Sequence, residues 1–111
     1  MAQAASIDRV FRALSDPTRR SVLERLSQSP ASVSELVAPF DMALPSFVQH
    51  LSVLEECQLV TSEKKGRVRT YQLMPQPLKL AEDWLARQRS QWETRLDQLD
   101  EYLKALKDKS R

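Results

Sequence analysis

From Leu78 to Leu106 the chain contains neither proline nor glycine, and Leu78, Leu85, Trp92, Leu99 and Leu106 recur every seven residues. That spacing keeps one side of an α-helix apolar along its whole length. Ala81, Leu96, Leu103 and Trp84 or Tyr102 widen the line into a stripe. At 1.5 Å per residue the helix would run about 40 Å, too long for so small a chain to cover by itself. Its seam needs a partner, and the same seam on a second copy supplies one with two-fold symmetry. The expected interface is Leu78, Leu85, Trp92, Leu96, Leu99, Leu103 and Leu106. At their spacing Trp84 and Trp92 read as packing residues rather than as a ligand cage. The rest of the surface alternates Arg87, Arg89, Glu93, Arg95, Asp97, Asp100, Glu101 and Lys104, which are solvated charges.

A chain of 111 residues fits one domain with a modest core. Apolar content of 41% and charged content of 29% are ordinary for a soluble protein. No run of about 18 apolar residues exists, and the N-terminus lacks a basic and apolar signal segment, so neither a membrane span nor secretion is expected. The expected compartment is the cytoplasm. Cys57, the single cysteine, has no second cysteine to pair with, in agreement with a reducing environment.

The segment from Ser32 to Cys57 reads as two short helices joined by a tight connection. Ser32 followed by Glu35 is a capping box, which starts the first helix and gives it Val33, Leu36 and Val37 as an inner face. Pro39 stops it. The second begins near Ala43 or Leu44, because Pro45 is tolerated only in a first turn, where its missing N–H had no partner to lose. On a helical wheel Phe47, Leu51 and Leu54 form the core side, with Leu44 near the rim. The other side carries Pro45, Ser46, Gln49, Ser52 and Glu56, polar or small near the helix start and acidic only at its far end. Such a helix can lay its N-terminal half against DNA while Glu55 and Glu56 stay clear of the phosphates.

Upstream, Ser6 caps a helix whose apolar stripe is Ile7, Val10, Phe11 and Leu14. Asp16 and Pro17 form an N-cap followed by a proline at the first helical position, opening a second helix with Val22, Leu23 and Leu26 inward up to about Ser27. Arg19 and Arg20 on that helix carry two readings. One is surface charge with an ion pair that pins neighbouring helices; the other is a contact to the DNA backbone from the flank. Gln28 to Ala31 reads as the loop before the capping box.

Downstream, Thr61 to Lys65 and Val68 to Leu73 read as two strands around Gly66, the chain's only glycine. Alternation puts Val68, Thr70 and Gln72 on one side and Arg67, Arg69, Tyr71 and Leu73 on the other. The charge is unevenly divided: residues 1–59 carry a net −2, residues 60–79 a net +4, and residues 80–111 a net zero. The surplus sits on Lys64, Lys65, Arg67 and Arg69 at the hairpin tip, which marks an electrostatic footprint for phosphates. A basic hairpin directly behind a helix pair is the wing of a winged helix-turn-helix. The expected fold is mainly α with a small β-hairpin: a winged helix-turn-helix with a long C-terminal dimerisation helix. Residues 1–76 form the DNA-binding part and residues 77–111 the dimerisation helix, within one compact domain.

The three stretches ALSDPTRRSVLERL (Ala13 to Leu26), VSELVAPFDMALPSFVQHLSVLEECQLV (Val33 to Val60) and KKGRVRTYQL (Lys64 to Leu73), in this order, resemble the ArsR/SmtB family of small dimeric winged helix-turn-helix transcriptional regulators. The resemblance covers roughly residues 7 to 74. It implies a homodimer through the terminal helices, a recognition helix in the major groove of double-stranded DNA, a wing near the minor groove or backbone, and usually repression relieved by a signal. The recognition residues it implies are Pro45, Ser46, Gln49, His50 and Ser52, and the wing residues Lys64, Lys65, Arg67 and Arg69.

Two departures qualify the resemblance. Many members sense metal through paired cysteines at positions corresponding to Val37 and Pro39, or through Asp, His and Glu on the terminal helix. This chain has no cysteine there and no histidine after His50, so about four converging ligands are not available, and no metal or other cofactor is expected. Where the family usually shows Ser and Lys before its His-Leu pair, this chain has Val48 and Gln49. The weight of readout shifts to Gln49, whose amide can pair with adenine.

His50 reads as a half-buried imidazole bonded to a neighbouring backbone or phosphate rather than as a catalyst. An enzyme is not expected: no nucleophile and base stand at a workable spacing, and one glycine cannot make a phosphate-cradling loop. The rival to a DNA-binding regulator is a dimeric protein-interaction module that has lost DNA binding. For the inducing signal the readings stay open among a small molecule in the dimer interface, a partner protein, oxidation at Cys57 and none.

Overall fold

The computed structural model describes residues 6–110. In order these are α1 (Ile7–Leu14), α2 (Pro17–Leu26), β1 (Ala31–Ser32), α3 (Val33–Val37), α4 (Leu44–Glu56), β2 (Val60–Lys65), β3 (Val68–Leu73) and α5 (Gln76–Lys109). The expected start of the chain before Ser6 lies outside the described residues.

Each helix start follows from a local signal. Ser6 caps α1 by accepting from the Arg9 N–H at 3.2 Å. Asp16 caps α2 by accepting from the Arg19 N–H at 3.0 Å, with Pro17 in the first turn. At α3 the Ser32 hydroxyl accepts from the Glu35 N–H at 3.2 Å and donates to Glu35 Oε1 at 3.1 Å, so the pair caps the helix through the hydroxyl alone. Ala43 precedes α4 without a side-chain cap, and Pro45 occupies its first turn.

The exit from α4 is more constrained than the sequence suggests. Leu59 N–H reaches back to Leu54 C=O at 3.0 Å and Gln58 N–H to Glu55 C=O at 3.0 Å, a Schellman arrangement that requires Gln58 to take φ +63°. Leu54 and Leu59 are both fully buried, as the apolar contact that accompanies this motif demands. Only three residues therefore separate the helix from β2.

The sheet has three antiparallel strands in the order β1-β3-β2. Ala31 stands opposite Tyr71 and Ser32 opposite Thr70, so the end of the expected 28–31 loop is an edge strand. No local pattern marks a two-residue strand; its ladder comes from a partner forty residues away. In the hairpin Gly66 takes φ +62°, the first of two loop residues between Lys65 and Val68.

The core gathers Val22, Leu23 and Leu26 of α2, Leu36 of α3, Phe47, Leu51 and Leu54 of α4, then Cys57, Leu59, Val60 and Tyr71. Phe47, Leu51 and Leu54 are wholly buried, each contributing about 1.5–3 kcal/mol from removal of apolar surface. In α1 the expected stripe is corrected: Val10 and Ala13 are buried, whereas Ile7, Phe11 and Leu14 are only half-buried. Ala13 packs where α1 approaches its neighbours, a place for which a small side chain carries no periodic signal. Cys57 is buried in the core, and burial pushes its thiol above the ordinary range, helped by Glu56 and opposed by Arg12, Arg9 and Arg19.

The chain forms two compact units, Met1–Ala81 and Glu82–Arg111. The boundary falls within α5, because the start of that helix packs in the first unit. There Pro77 and Ala81 are buried, and Leu78 packs against the core of its own chain. Helix α5 also starts two residues earlier than Leu78 and extends past Leu106 to Lys109, Pro77 being accommodated in its first turn. In the second unit the apolar side chains stand open: Leu85, Trp92, Leu96, Leu99, Leu103 and Leu106 are between 45% and 61% exposed. Arg95 lies 5.9 Å over the Trp92 ring. No helix among the described residues is long and apolar enough to cross a membrane.

Candidate nucleic-acid interface

Burial of Phe47, Leu51 and Leu54 decides which way α4 presents its other side. Pro45, Ser46, Gln49 and Ser52 are all exposed on it, and Val48, 39% exposed, stands beside them. Val48 was legible only as a replacement, not as a surface residue.

His50 does not share that open face. It is half-buried, with Nδ1 3.1 Å from Arg19 Nη1 and 3.6 Å from Asp16 Oδ2. Its partners are the side chains of Arg19 on α2 and of Asp16, the α2 N-cap, where the sequence suggests a neighbouring backbone or a phosphate. Arg19 also donates from Nε to Ala13 C=O and from Nη2 to Arg12 C=O, each at 2.9 Å, so one guanidinium closes the open end of α1 and touches α4. Arg20 donates to Leu14 C=O at 2.8 Å. Burial raises the Asp16 pKa, but the Arg19 N–H and the charges of His50 and Arg19 outweigh it and leave the carboxyl below its ordinary range.

The hairpin face toward the core changes character along its length. Val60 pairs with Leu73, then Ser62 with Tyr71, then Lys64 with Arg69. Apolar at the base, it becomes cationic at the tip. Ser62 Oγ donates to Glu55 Oε1 at 2.6 Å and accepts from Arg69 Nη1 at 2.9 Å, linking the hairpin to α4. Burial pushes the Tyr71 hydroxyl pKa up, Glu55 adds to this, and Arg69 and the Ser62 hydroxyl oppose it. The side chains of Lys64, Lys65 and Arg67 make no hydrogen bond or ion pair among the described residues. Among the described residues no three His, Cys, Asp or Glu side chains converge.

The helix-turn-helix domain family matches residues 14–63, which run from the end of α1 through α4 into β2. An HTH-type transcriptional regulator of Mycobacterium tuberculosis is 41% identical over 75 residues, covering 68% of this chain and 70% of the relative. The transcriptional repressor SdpR of Bacillus subtilis is 29% identical over 79 residues, covering 71% and 88%. A crystal structure of an ArsR family transcriptional regulator superposes with a TM-score of 0.75 at 52% identity, covering 78% of this chain and 96% of that one. This chain belongs to the ArsR family of transcriptional regulators. As an ArsR-family member it is a winged helix-turn-helix protein in which α3 and α4 are the helix pair and β2–β3 the wing. The ArsR-family assignment makes the protein a DNA-binding transcriptional regulator.

Proposed function

We propose that the protein is a homodimeric repressor that binds an inverted repeat in double-stranded DNA, with half-sites about one helical turn apart. The observation that carries this reading is the bare polar face of α4 beside a wing tip bearing three unpaired cations. Ser46, Gln49 and Ser52 meet base edges, with the Gln49 amide on adenine and Val48 against a thymine methyl. Pro45 and the uncapped start of α4 approach the backbone. Lys64, Lys65 and Arg67 neutralise phosphates. Arg19 and Arg20 pin α1, a role supported by their hydrogen bonds to its last carbonyls, and His50 orients α4 through Arg19.

Dimerisation uses the stripe of Leu85, Trp92, Leu96, Leu99, Leu103 and Leu106, whose exposure on a lone helix needs a covering surface. The protein works in the cytoplasm, without membrane or cofactor. A pure interaction module leaves one feature unexplained: the side chains of Lys64, Lys65 and Arg67 crowd the hairpin tip with no anionic partner among the described residues.

Gel shifts on the promoter fragment of the protein's own gene test the reading. Retardation at low salt that falls steeply as salt rises is expected. Gln49→Ala should change which sequence is preferred, and Arg67→Ala should weaken all sequences alike. No retardation at low salt would favour the interaction module.

A further inference from the structure

We infer that Glu55, through Ser62, holds Arg69 as its own counter-charge, so that Arg69 is a positioning residue for the wing rather than a phosphate contact. The inference rests on the DNA-binding reading above. Ser62 has one hydroxyl proton, which goes to Glu55 Oε1 at 2.6 Å, while its oxygen accepts from Arg69 Nη1 at 2.9 Å. A charged group stands at each end, so both bonds are charge-assisted. Glu55 lies in the last turn of α4, Ser62 in β2 and Arg69 in β3, and one short chain of bonds joins all three elements.

The register shows why Arg69 is chosen and not its neighbours. Arg69 shares the inward side of the hairpin with Tyr71 and Ser62, whereas Arg67 lies in the turn and Lys65 on the opposite side. Arg69 also faces Lys64 across the ladder, a repulsion that Glu55 relieves. Alone, Glu55 would repel phosphate and Arg69 would attract it. Paired, they add almost nothing to the number of counterions that DNA releases. The wing then presents three cations to the duplex, not four.

Salt titration of binding to random duplex DNA separates this from a plain structural role. In the full-length protein, Glu55→Gln removes the anion but keeps the shape, and Arg69 becomes available to a phosphate. The slope of log affinity against log salt should steepen by about 0.9, an extra loss of about 3.5-fold between 50 and 200 mM. Glu56→Gln, the same charge change one residue on, should leave the slope unaltered. Adding Arg69→Ala to Glu55→Gln should return the slope to the wild-type value. A wild-type protein that binds, with a Glu55→Gln slope that is unchanged or shallower, overturns the inference alone. So does an equal steepening by Glu56→Gln, or a double variant that stays steep. A wild-type protein that binds no DNA overturns the functional reading and this inference together.

Discussion

Arg19 Nη1 lies 3.1 Å from His50 Nδ1, so a side chain of α2 reaches the helix that carries the polar face. Arginine has only donors, so Nδ1 is the acceptor in this contact. Asp16 Oδ2 stands 3.6 Å from the same ring nitrogen. Because the same guanidinium also serves the Ala13 and Arg12 carbonyls, Arg19→Ala should cost about 2 kcal/mol. Thermal unfolding should show a fall of roughly 10 °C for a domain of this size. Arg19→Lys should recover only part of this, since one ammonium cannot span three acceptors.

Asp16 gives stability a dependence on acid. Its folded carboxyl titrates below its unfolded value, so its stabilisation is complete above about pH 4 and is lost as pH falls through the folded value. Asp16→Ala should cost about 1 kcal/mol at pH 7 through loss of the α2 cap. Urea denaturation at pH 7 and pH 3 should show the gap between wild type and variant closing in acid.

Gly66 offers a test of backbone strain without steric interference. A Cβ built there meets nothing within 4 Å, yet φ is +62°. Gly66→Ala should therefore destabilise the hairpin by roughly 1 kcal/mol, from the left-handed conformation alone. Gly66→Asn should cost less, because asparagine tolerates that region. Hydrogen exchange of the β2 and β3 amides would report both.

Leu99 is 51% exposed on the open stripe of α5. Leu99→Asp should give a monomer by analytical ultracentrifugation, with the wing and helix pair still folded by circular dichroism. A dimer that survives would place the seam elsewhere.

The features legible in the chain were those with local causes. Ser6, Asp16 and Ser32 each announce a helix start through a side chain three residues from its target, and all three do so in the fold. Phe47, Leu51 and Leu54 follow from helical period, and the Tyr71 side of β3 from the alternation of a strand. What escaped depends on residues distant in sequence. Strand β1 exists because Tyr71 and Thr70 are available to it. Leu78 continues a seven-residue repeat in the chain, yet it packs into its own core. Arg69 counts as one of four equivalent cations until the fold brings Ser62 and Glu55 to it. His50 is expected beside Gln49 and Ser52 but turns toward α2, because Arg19 and Asp16 stand there.

The tight exit from α4 has a consequence for engineering this scaffold. With Gln58 locked at positive φ and Leu59 bonded back to Leu54, the stretch from α4 into β2 has no slack to absorb an inserted residue. The Gly66–Arg67 tip has open space around it. Longer loops grafted there would lengthen the hairpin while the pose of α4 is preserved, whereas lengthening the other junction would uncouple α4 from the hairpin.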